Sequence, residues 1–464
     1  MNKYACIALL LFLSCESKKH DNDRIALIDQ YLKGQQQHFQ FNGNVLLAEN
    51  GEVIYQKSFG MANYYEQRPL NDSSVFELAS VSKQFTATGI LLLMEQGKLK
   101  LTDTLQKFFP ELPYKHITLK HMLTHTSGLP AYEDLVDEKW DHNKIAFNGD
   151  VIKMLAKEKP PVLFQPGEKW EYSNTAFMLL ASIIEKVSGQ SFKEFMANQV
   201  YQPLGMRHTR IYNTRRSGEV IDNYAYGFVW SDSLSTFVLP DSMKQLRFVY
   251  YMDGIQGDGI TNSTASDLLK WDRAVKNHTL LTKTTTDEML SPQALSDTTI
   301  NEYYGYGVFV GENENGKYIS HSGGWPGYST NLSRYVDKDR TIILLSNNNS
   351  NAPAIEQALA RILSGMPVQM PYQHHEVQVD SISLSAFAGK YRSGGSIINL
   401  KFKRDTLYRR FSSGYKQILL PESTTKVFVK GRTDRQIEIE REPDGKASYF
   451  LIDHGIKKEL SRIQ

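Results

Sequence analysis

The sequence predicts an α+β fold: an antiparallel sheet flanked by helices as an α/β sandwich, an all-helical subdomain, and a small C-terminal β-domain. Three observations support this prediction. A strand–turn–strand pattern occurs near residue 50, helical patterns fill the middle of the chain, and strand-like runs return between residues 317 and 346. Because distant antiparallel strands can share one sheet, we expect the two sets to pair. From residue 381 alternation with period two predicts a separate sandwich or barrel.

The first elements in the chain are a helix and a hairpin. Ile25–Phe39 has apolar residues at helical spacing. Asn44–Gln56 contains two β-rich runs joined by Asn50-Gly51, a pair typical of a type I′ turn. An apolar helix then runs from Ser80 to near Gly97.

The later elements are predicted from apolar spacing, capping residues and terminating Gly or Pro. Helices are expected within Ile117–Pro130, at Asp150–Lys157, Thr175–Val187, from Ser191, at Thr264–Val275 and at Ala354–Leu363, and strands at Lys317–Ser322, Thr330–Val336 and Thr341–Ser346. The predicted domains are a signal and tether at 1–23, a main domain at 24–366 and an accessory β-domain, sandwich or barrel, at 380–464.

The composition is that of a globular protein without a charge bias. The 464 residues are 41% hydrophobic, enough for a sizeable core and for two or three domains. Lys and Arg number 53 against 51 acidic residues, so no basic field suggests nucleic acid. We therefore expect a small molecule or peptide as substrate, and no nucleic-acid partner.

The N-terminal segment has the pattern of an export signal. Lys3 precedes the apolar run Tyr4–Leu13, which is too short to span a membrane but suits a secretory signal. The sequence around Cys15 resembles the lipobox of bacterial lipoproteins, although Phe12 stands where leucine is preferred. This pattern predicts a lipid on Cys15, a polar tether at Glu16–Asp23, and a periplasmic or cell-surface protein anchored to a bacterial membrane. Ordinary signal cleavage nearby is the alternative.

The cysteines and histidines give no metal site. Cys6 and Cys15 are the only cysteines, so a mature lipidated chain has no free thiol and no disulfide. The chain lacks an H-E-x-x-H zinc motif, and His374-His375 is read as a solvated pair in a linker. We expect neither a metal nor another cofactor.

Ser80 and Lys83 form an S-x-x-K pair at the start of the apolar helix. Residues three apart share a helix face, so the two side chains are within reach of each other. A serine hydroxyl needs an adjacent base to act as a nucleophile, and a partly desolvated lysine can supply one. The same spacing occurs at Ser413–Lys416 and Ser423–Lys426, but there in alternating, β-like sequence.

Two further segments carry candidate site residues. Tyr172 and Asn174 precede a helix; a tyrosine beside a lysine can move a proton, and a carboxamide both donates and accepts hydrogen bonds. A turn that caps the next helix is the alternative reading. His321 precedes Gly323 and Gly324 at the end of a strand, where glycines allow close approach of a substrate. A plain glycine-rich turn would look the same.

Together these segments resemble the serine β-lactamase and penicillin-binding protein superfamily. The class C β-lactamase branch is the closer likeness, because the second motif is Tyr-x-Asn. The resemblance covers roughly Gln40 to Leu363 and includes three further motifs that family members similarly carry, at His125–Pro130, Gly257–Ile260 and Tyr304–Gly307. The C-terminal β-domain resembles an appendage of some members.

The resemblance implies a role for each site residue. Ser80 would be the acylated nucleophile, Lys83 its proton partner, and Tyr172 the general base and acid. Asn174, His321 and Gly323 would contact the substrate. The backbone N–H groups of Ser80 and Gly324 would form the oxyanion hole.

One departure bears on the substrate. Efficient β-lactamases begin the third motif with lysine, and a neutral imidazole at His321 holds a carboxylate less well. The expected activity is therefore hydrolysis of an ester, or of a peptide or amide with D-residues, through an acyl-serine. A true β-lactamase, a D-Ala-D-Ala carboxypeptidase and a catalytically weak binding module remain alternatives. A Ser-His-Asp hydrolase is disfavoured, because Ser320–Gly324 lacks the first glycine of G-x-S-x-G.

Overall fold

The fold is described from a computed structural model of the chain. It describes residues 23–215, 218–393, 396–411, 414–431, 433–442 and 446–463. The chain divides into two compact units. One unit is residues 42–353, and the other joins the described residues before 42 to the chain from residue 354 onward. The first helix, α1 (residues 23–39), therefore belongs to the C-terminal unit.

The unit of residues 42–353 is built on one large antiparallel sheet, as predicted. Its strand order is β10-β11-β12-β13-β14-β15-β1-β2, so the early hairpin extends the late strands. The strands of this unit are β1 (Gly43–Glu49), β2 (Glu52–Phe59), β3 (Met61–Asn63), β4 (Arg68–Pro69), β5 (Phe76–Glu77), β6 (Arg210–Ile211), β7 (Val229–Ser231), β8 (Thr236–Val238), β9 (Thr261–Ser263), β10 (Ala294–Asp297), β11 (Glu302–Tyr304), β12 (Phe309–Asn313), β13 (Gly316–Trp325), β14 (Tyr328–Tyr335) and β15 (Arg340–Ser346).

The hairpin has the predicted turn. Asn50 and Gly51 both have positive φ, 54° and 87°, as a type I′ turn requires. Its strand β1 pairs with β15 in register from Gly43 opposite Ser346 to Glu49 opposite Arg340.

The α-helices described in this unit all lie between the hairpin and β10. They are α2 (Lys83–Glu95), α3 (Leu105–Phe108), α4 (Leu119–Leu123), α5 (Tyr132–Lys139), α6 (Asn148–Glu158), α7 (Asn174–Ser188), α8 (Phe192–Met196), α9 (Phe248–Tyr251), α10 (Ala265–Lys276) and α11 (Lys283–Met289). The capping signals are confirmed: Gly189 ends α7 at φ 74°, and Ser191 forms a capping box with Glu194 at α8. Sheet residues such as Leu46 and Ile343 share one core with α2 and α7.

The C-terminal unit contains a closed eight-stranded antiparallel barrel, which decides between the predicted sandwich and barrel. Its interior holds a separate apolar cluster that includes Tyr391, Leu407 and Val427. The elements are α12 (Ala352–Leu363), which leads into this unit, α13 (Ser381–Ser385), β16 (Gly389–Ser393), β17 (Ser396–Lys403), β18 (Thr406–Arg410), β19 (Lys416–Pro421), β20 (Lys426–Val429), β21 (Arg435–Arg441), β22 (Ala447–Asp453) and β23 (Ile456–Ile463).

Helix α1 is bonded to the barrel strands and their turns. The Tyr31 hydroxyl donates to the carbonyl of His454 at 2.8 Å, and the Gln35 amide donates to Asp434 at 2.9 Å. Tyr31 and Gln35 are both buried. These contacts explain why the division into units differs from the predicted boundary, which placed residues 24–41 with the sheet. Across the described ranges, no helix combines the length and apolar character needed to cross a bilayer.

Candidate active site

Ser80 lies in a 3₁₀ turn, Ala79–Ser82, which leads directly into α2. Ala79 has φ 47°, a left-handed conformation that costs energy for any residue with a Cβ. Neighbouring strands hold this turn: Thr330 on β14 donates its hydroxyl to the carbonyl of Leu78 at 2.7 Å. The serine is therefore presented on a strained turn backed by the large sheet.

Lys83 is fully buried behind Ser80 and has three hydrogen-bond partners. Its ammonium lies 3.1 Å from Ser80 Oγ, 2.8 Å from Asn174 Oδ1 and 2.7 Å from the carbonyl of Asp258. An ammonium has three N–H donors, so these acceptors use all of them. The arrangement brings Ser80, Lys83 and Asn174 together, as the sequence predicted, and adds Asp258 to them.

Tyr172 lies beside this ammonium. Lys83 Nζ is 4.9 Å from the centroid of the Tyr172 ring. The Tyr172 hydroxyl is buried and has no hydrogen-bond partner among the described residues. Its hydrogen-bonding capacity is therefore not used by the described residues.

His125 holds the segment that carries Tyr172. Its carbonyl accepts the N–H of Glu171 at 2.9 Å, and its Nδ1 accepts the N–H of Ser173 at 3.0 Å. The His125 backbone is left-handed, with φ 57°. Burial, together with the charge of Lys83 and the nearby His321, lowers the pKa of His125 well below its usual value. The imidazole is therefore neutral, with its proton on Nε2.

His321 faces the core, so the structure corrects its expected role as a substrate ligand. Tyr304 donates to His321 Nε2 at 2.9 Å, and His321 Nδ1 lies 2.7 Å from the carbonyl of Ser322. Both ring nitrogens are thus occupied. Burial is the main reason that the pKa of His321 falls to about 3, and the charge of Lys83 adds to it. A buried neutral imidazole in this position supports Tyr304 and offers no cation to a carboxylate.

The two glycines of the third motif serve different purposes. A Cβ on Gly323 would come within 2.1 Å of the Leu78 carbonyl, so this glycine permits close packing of β13 against the Ser80 turn. Its expected contact with substrate is therefore replaced by a structural one. A Cβ on Gly324 would meet nothing within 4 Å, and Gly324 lines the same cleft as Ser80. This placement fits the oxyanion role that was predicted for Gly324.

The cleft in front of Ser80 has an acidic lining. Its enclosed volume is about 80 Å³, and four acidic residues, Glu77, Glu133, Asp253 and Asp258, are among those that line it. Glu133 accepts the amide of Asn174 at 2.6 Å, which turns the other end of that amide toward Lys83.

Sequence reasoning missed Glu133, Asp258, Tyr304 and Glu77 as site residues and used His125 only as part of a motif. Asp258 and Tyr304 do fall within motifs of the resemblance, at Gly257–Ile260 and Tyr304–Gly307, so that signal was present. Glu77 is close to Ser80 in sequence, but no motif marks its side chain as facing the cleft, and Glu133 reaches the cleft only through tertiary packing.

The remaining predicted residues lie elsewhere. Ser423 lies in the bend before β20, and Lys426 is the first residue of that strand, where it lies 3.5 Å from Glu438. The serine of the third S-x-x-K pair, Ser413, and the expected lipid site, Cys15, lie outside the described residues. The pair at Ser80 and Lys83 is thus the one that adjoins the cleft.

A buried lysine hydrogen-bonded to a serine on a strained turn, beside a tyrosine and an asparagine, defines a serine hydrolase of the penicillin-binding protein type. The family model described as Beta-lactamase matches residues 27–365, and the chain belongs to this family. It is 40% identical over 434 residues to penicillin-binding protein 4* of Bacillus subtilis, covering 92% of this chain and 96% of that protein.

Solved structures agree with this fold. A penicillin-binding protein from Bacillus halodurans is 27% identical with a TM-score of 0.62, covering 71% of this chain and 98% of that one. An octameric penicillin-binding protein homologue from Pyrococcus abyssi is 23% identical with a TM-score of 0.67, covering 94% and 100%. A D-amino acid amidase from Ochrobactrum anthropi is 20% identical with a TM-score of 0.61, covering 75% and 98%. The last two show likeness of fold alone.

We expect His125 to act as a positioning residue for Tyr172, and two variants separate its acceptor atom from its backbone. Glycine and asparagine both tolerate the left-handed conformation, but only asparagine places an acceptor, Oδ1, where Nδ1 stands. His125→Gly should lower kcat by about 10- to 100-fold with a smaller change in KM, because the tyrosine loses its alignment. His125→Asn should recover most of kcat. Equal losses in both folded variants would contradict this role.

The neutral His321 should make the protein less stable in acid. The unfolded chain binds a proton at this histidine below a pKa of about 6.5, whereas the folded chain does so only near 3. Stability is therefore lost as the pH falls below about 6.5, and by pH 5 the loss is about 2 kcal/mol. The free energy of unfolding, measured with urea, should differ between pH 7 and pH 5 by about 2 kcal/mol less in His321→Gln than in the wild type. The exposed His116→Gln is the matched control, and the same reduction there would refute the assignment.

Proposed function

We propose that the protein is an exported, lipid-anchored serine hydrolase that acts through an acyl-serine on an ester or on a peptide or amide with D-residues. The observation that carries this proposal is the fully buried Lys83, whose ammonium lies 3.1 Å from Ser80 Oγ and 4.9 Å from the ring of Tyr172. A buried ammonium is costly, and its place beside a serine and an unpartnered tyrosine supports a role in acyl transfer.

In the proposed reaction Ser80 Oγ attacks the substrate carbonyl while Tyr172, acting as a phenolate beside the Lys83 ammonium, takes the serine proton. The positive charge of Lys83 stabilises negative charge on Ser80 Oγ and on the phenolic oxygen of Tyr172. The N–H groups of Ser80 and Gly324 would stabilise the oxyanion. Tyr172 then returns the proton to the leaving group, which leaves an acyl-Ser80. A water molecule, deprotonated by the same tyrosine, releases the acid and restores the serine.

The substrate proposal rests on the third motif and on the relatives. His321 is neutral and fully hydrogen-bonded, and none of the described residues that line the cleft is Lys or Arg. This disfavours substrates that must be held by a carboxylate, as β-lactams are. The name of the 40% identical relative, penicillin-binding protein 4*, favours a second candidate, a D-Ala-D-Ala carboxypeptidase.

We expect Ser80 to be the acylated residue. A fluorophosphonate or a fluorescent penicillin should label the wild type and not Ser80→Ala, and Ser423→Ala, from another S-x-x-K pair, should label normally. Short-chain p-nitrophenyl esters should turn over in a Ser80-dependent way, with little or no nitrocefin hydrolysis. Equal labelling of wild type and Ser80→Ala would end the proposal, and fast nitrocefin hydrolysis would favour a β-lactamase instead.

The anchor is proposed from the lipobox-like sequence at Cys15. In bacterial cells the wild type should sediment with membranes and partition into the detergent phase, because the acyl chains add apolar surface. Cys15→Ser should move the protein to the aqueous phase or leave it unprocessed. Cys6→Ser, in the same segment, should behave as the wild type does. Detergent partition of Cys15→Ser, once processed, would exclude a lipid at this cysteine.

A further inference from the structure

The acidic lining of the cleft goes beyond what acyl transfer needs. Glu133 already has a use, since it orients the Asn174 amide, and Asp258 accepts the hydroxyl of Tyr132 at 2.8 Å. Neither contact requires that four carboxyl groups surround one cleft. Their common effect is a negative field at the place where substrate binds.

Glu77 is the carboxyl group that the fold leaves without a partner. It lies on β5, three residues before Ser80, and its side chain is only 7% exposed. Within the described part of the chain, its carboxyl group makes no hydrogen bond and no ion pair. A buried carboxyl without a donor costs free energy, and a ligand with N–H groups would remove that cost. The unpaired Glu77 carboxyl therefore suggests that a ligand, and not the protein, supplies its hydrogen-bond donor.

The nearby cations do not cancel this field. Lys83 directs its three N–H groups to Ser80, Asn174 and the Asp258 carbonyl. Arg215 is held by two hydrogen bonds from its guanidinium to Asp241, of 2.5 and 2.7 Å, and lies 3.5 Å from Asp253. Counting both cations, the cleft and its surroundings still carry an excess of carboxyl groups.

We propose that the cleft selects acyl donors that carry a protonated amine next to the reacting carbonyl, with Glu77 as the recognising carboxylate and Glu133, Asp253 and Asp258 adding to the field. The inference rests on the proposed function, because it names the substrate class of the same site. It also implies that substrates with a carboxylate at this position are rejected.

The ionisation of Glu77 is consistent with this role. Burial raises the pKa of Glu77 to about 8, Asp253 and Asp258 act in the same direction, and Arg215 opposes them. Tyr224 and Tyr328 also face this carboxyl group, since its charge raises the pKa of each. An entering ammonium adds a positive charge to that of Arg215, which is already paired with Asp241, so its binding favours release of a proton from Glu77.

The test compares three thioesters of D-alanine: one with a free amine, one N-acetylated and neutral, and one N-succinylated and anionic. Each kcat/KM is divided by the rate of the same compound with hydroxide, which removes differences in intrinsic reactivity. We expect the amine to exceed the acetyl compound by about tenfold or more, and the succinyl compound to be the poorest. An acetyl or succinyl compound that equals or exceeds the amine would overturn the inference.

Variants assign the selection to Glu77. In Glu77→Gln, which keeps the shape and removes the charge, the amine-to-acetyl ratio should fall several-fold, while the exposed Glu111→Gln should keep the wild-type ratio. If Glu77→Gln does not fold, Glu133→Gln serves as the second variant, because its amide oxygen can still accept from Asn174. An unchanged ratio in folded Glu77→Gln would refute the assignment to Glu77, and an unchanged ratio in Glu133→Gln would refute the contribution of Glu133 to the field.

The failures of the two proposals are distinguishable. Ser80-dependent turnover of the acetyl thioester without a preference for the amine would refute charge selection alone. Absence of Ser80-dependent turnover for all three thioesters would refute the proposed hydrolase, and the selection with it.

Discussion

A lysine ammonium is tolerated in a protein interior only when each of its N–H groups finds an acceptor, and Lys83 meets that demand from three parts of the chain. Removing such a charge from water costs several kcal/mol, which the hydrogen bonds and the rings of Tyr172 and Phe177 offset. The start of α2, the start of α7 and the loop at Asp258 are therefore fixed relative to one another. A shift in any of them would leave an N–H group unpaired.

The surrounding groups keep the positive charge on that single ammonium. His125 and His321 are both buried and neutral, and each uses a ring nitrogen to bind the segment or side chain next to it. A charged imidazole at either position would repel the Lys83 ammonium and make the protonated lysine less stable. Here the two histidines act as aromatic supports, and the acidic lining lies on the solvent side of Ser80.

Local signals predicted most of the architecture and the centre of the site. The Asn50-Gly51 turn, the capping box at Ser191 and the alternation of the C-terminal strands each depend on residues close in sequence. Side-chain orientation was harder to predict, because the position of His321 in a motif does not determine the direction in which its imidazole ring faces. That depends on Tyr304, from another strand. The same limit hid Glu77 and Glu133, and it hid the attachment of α1, whose partners come from the far end of the chain.

The bond from Tyr31 to the His454 carbonyl joins residues 423 positions apart, and this separation imposes an order of assembly. A ribosome adds about 5 to 20 residues per second, so α1 waits on the order of 20 to 90 s before its partners exist. The unit of residues 42–353 is complete in sequence well before those partners are made. A chain that stops short of the last strands leaves the Tyr31 face of α1 uncovered.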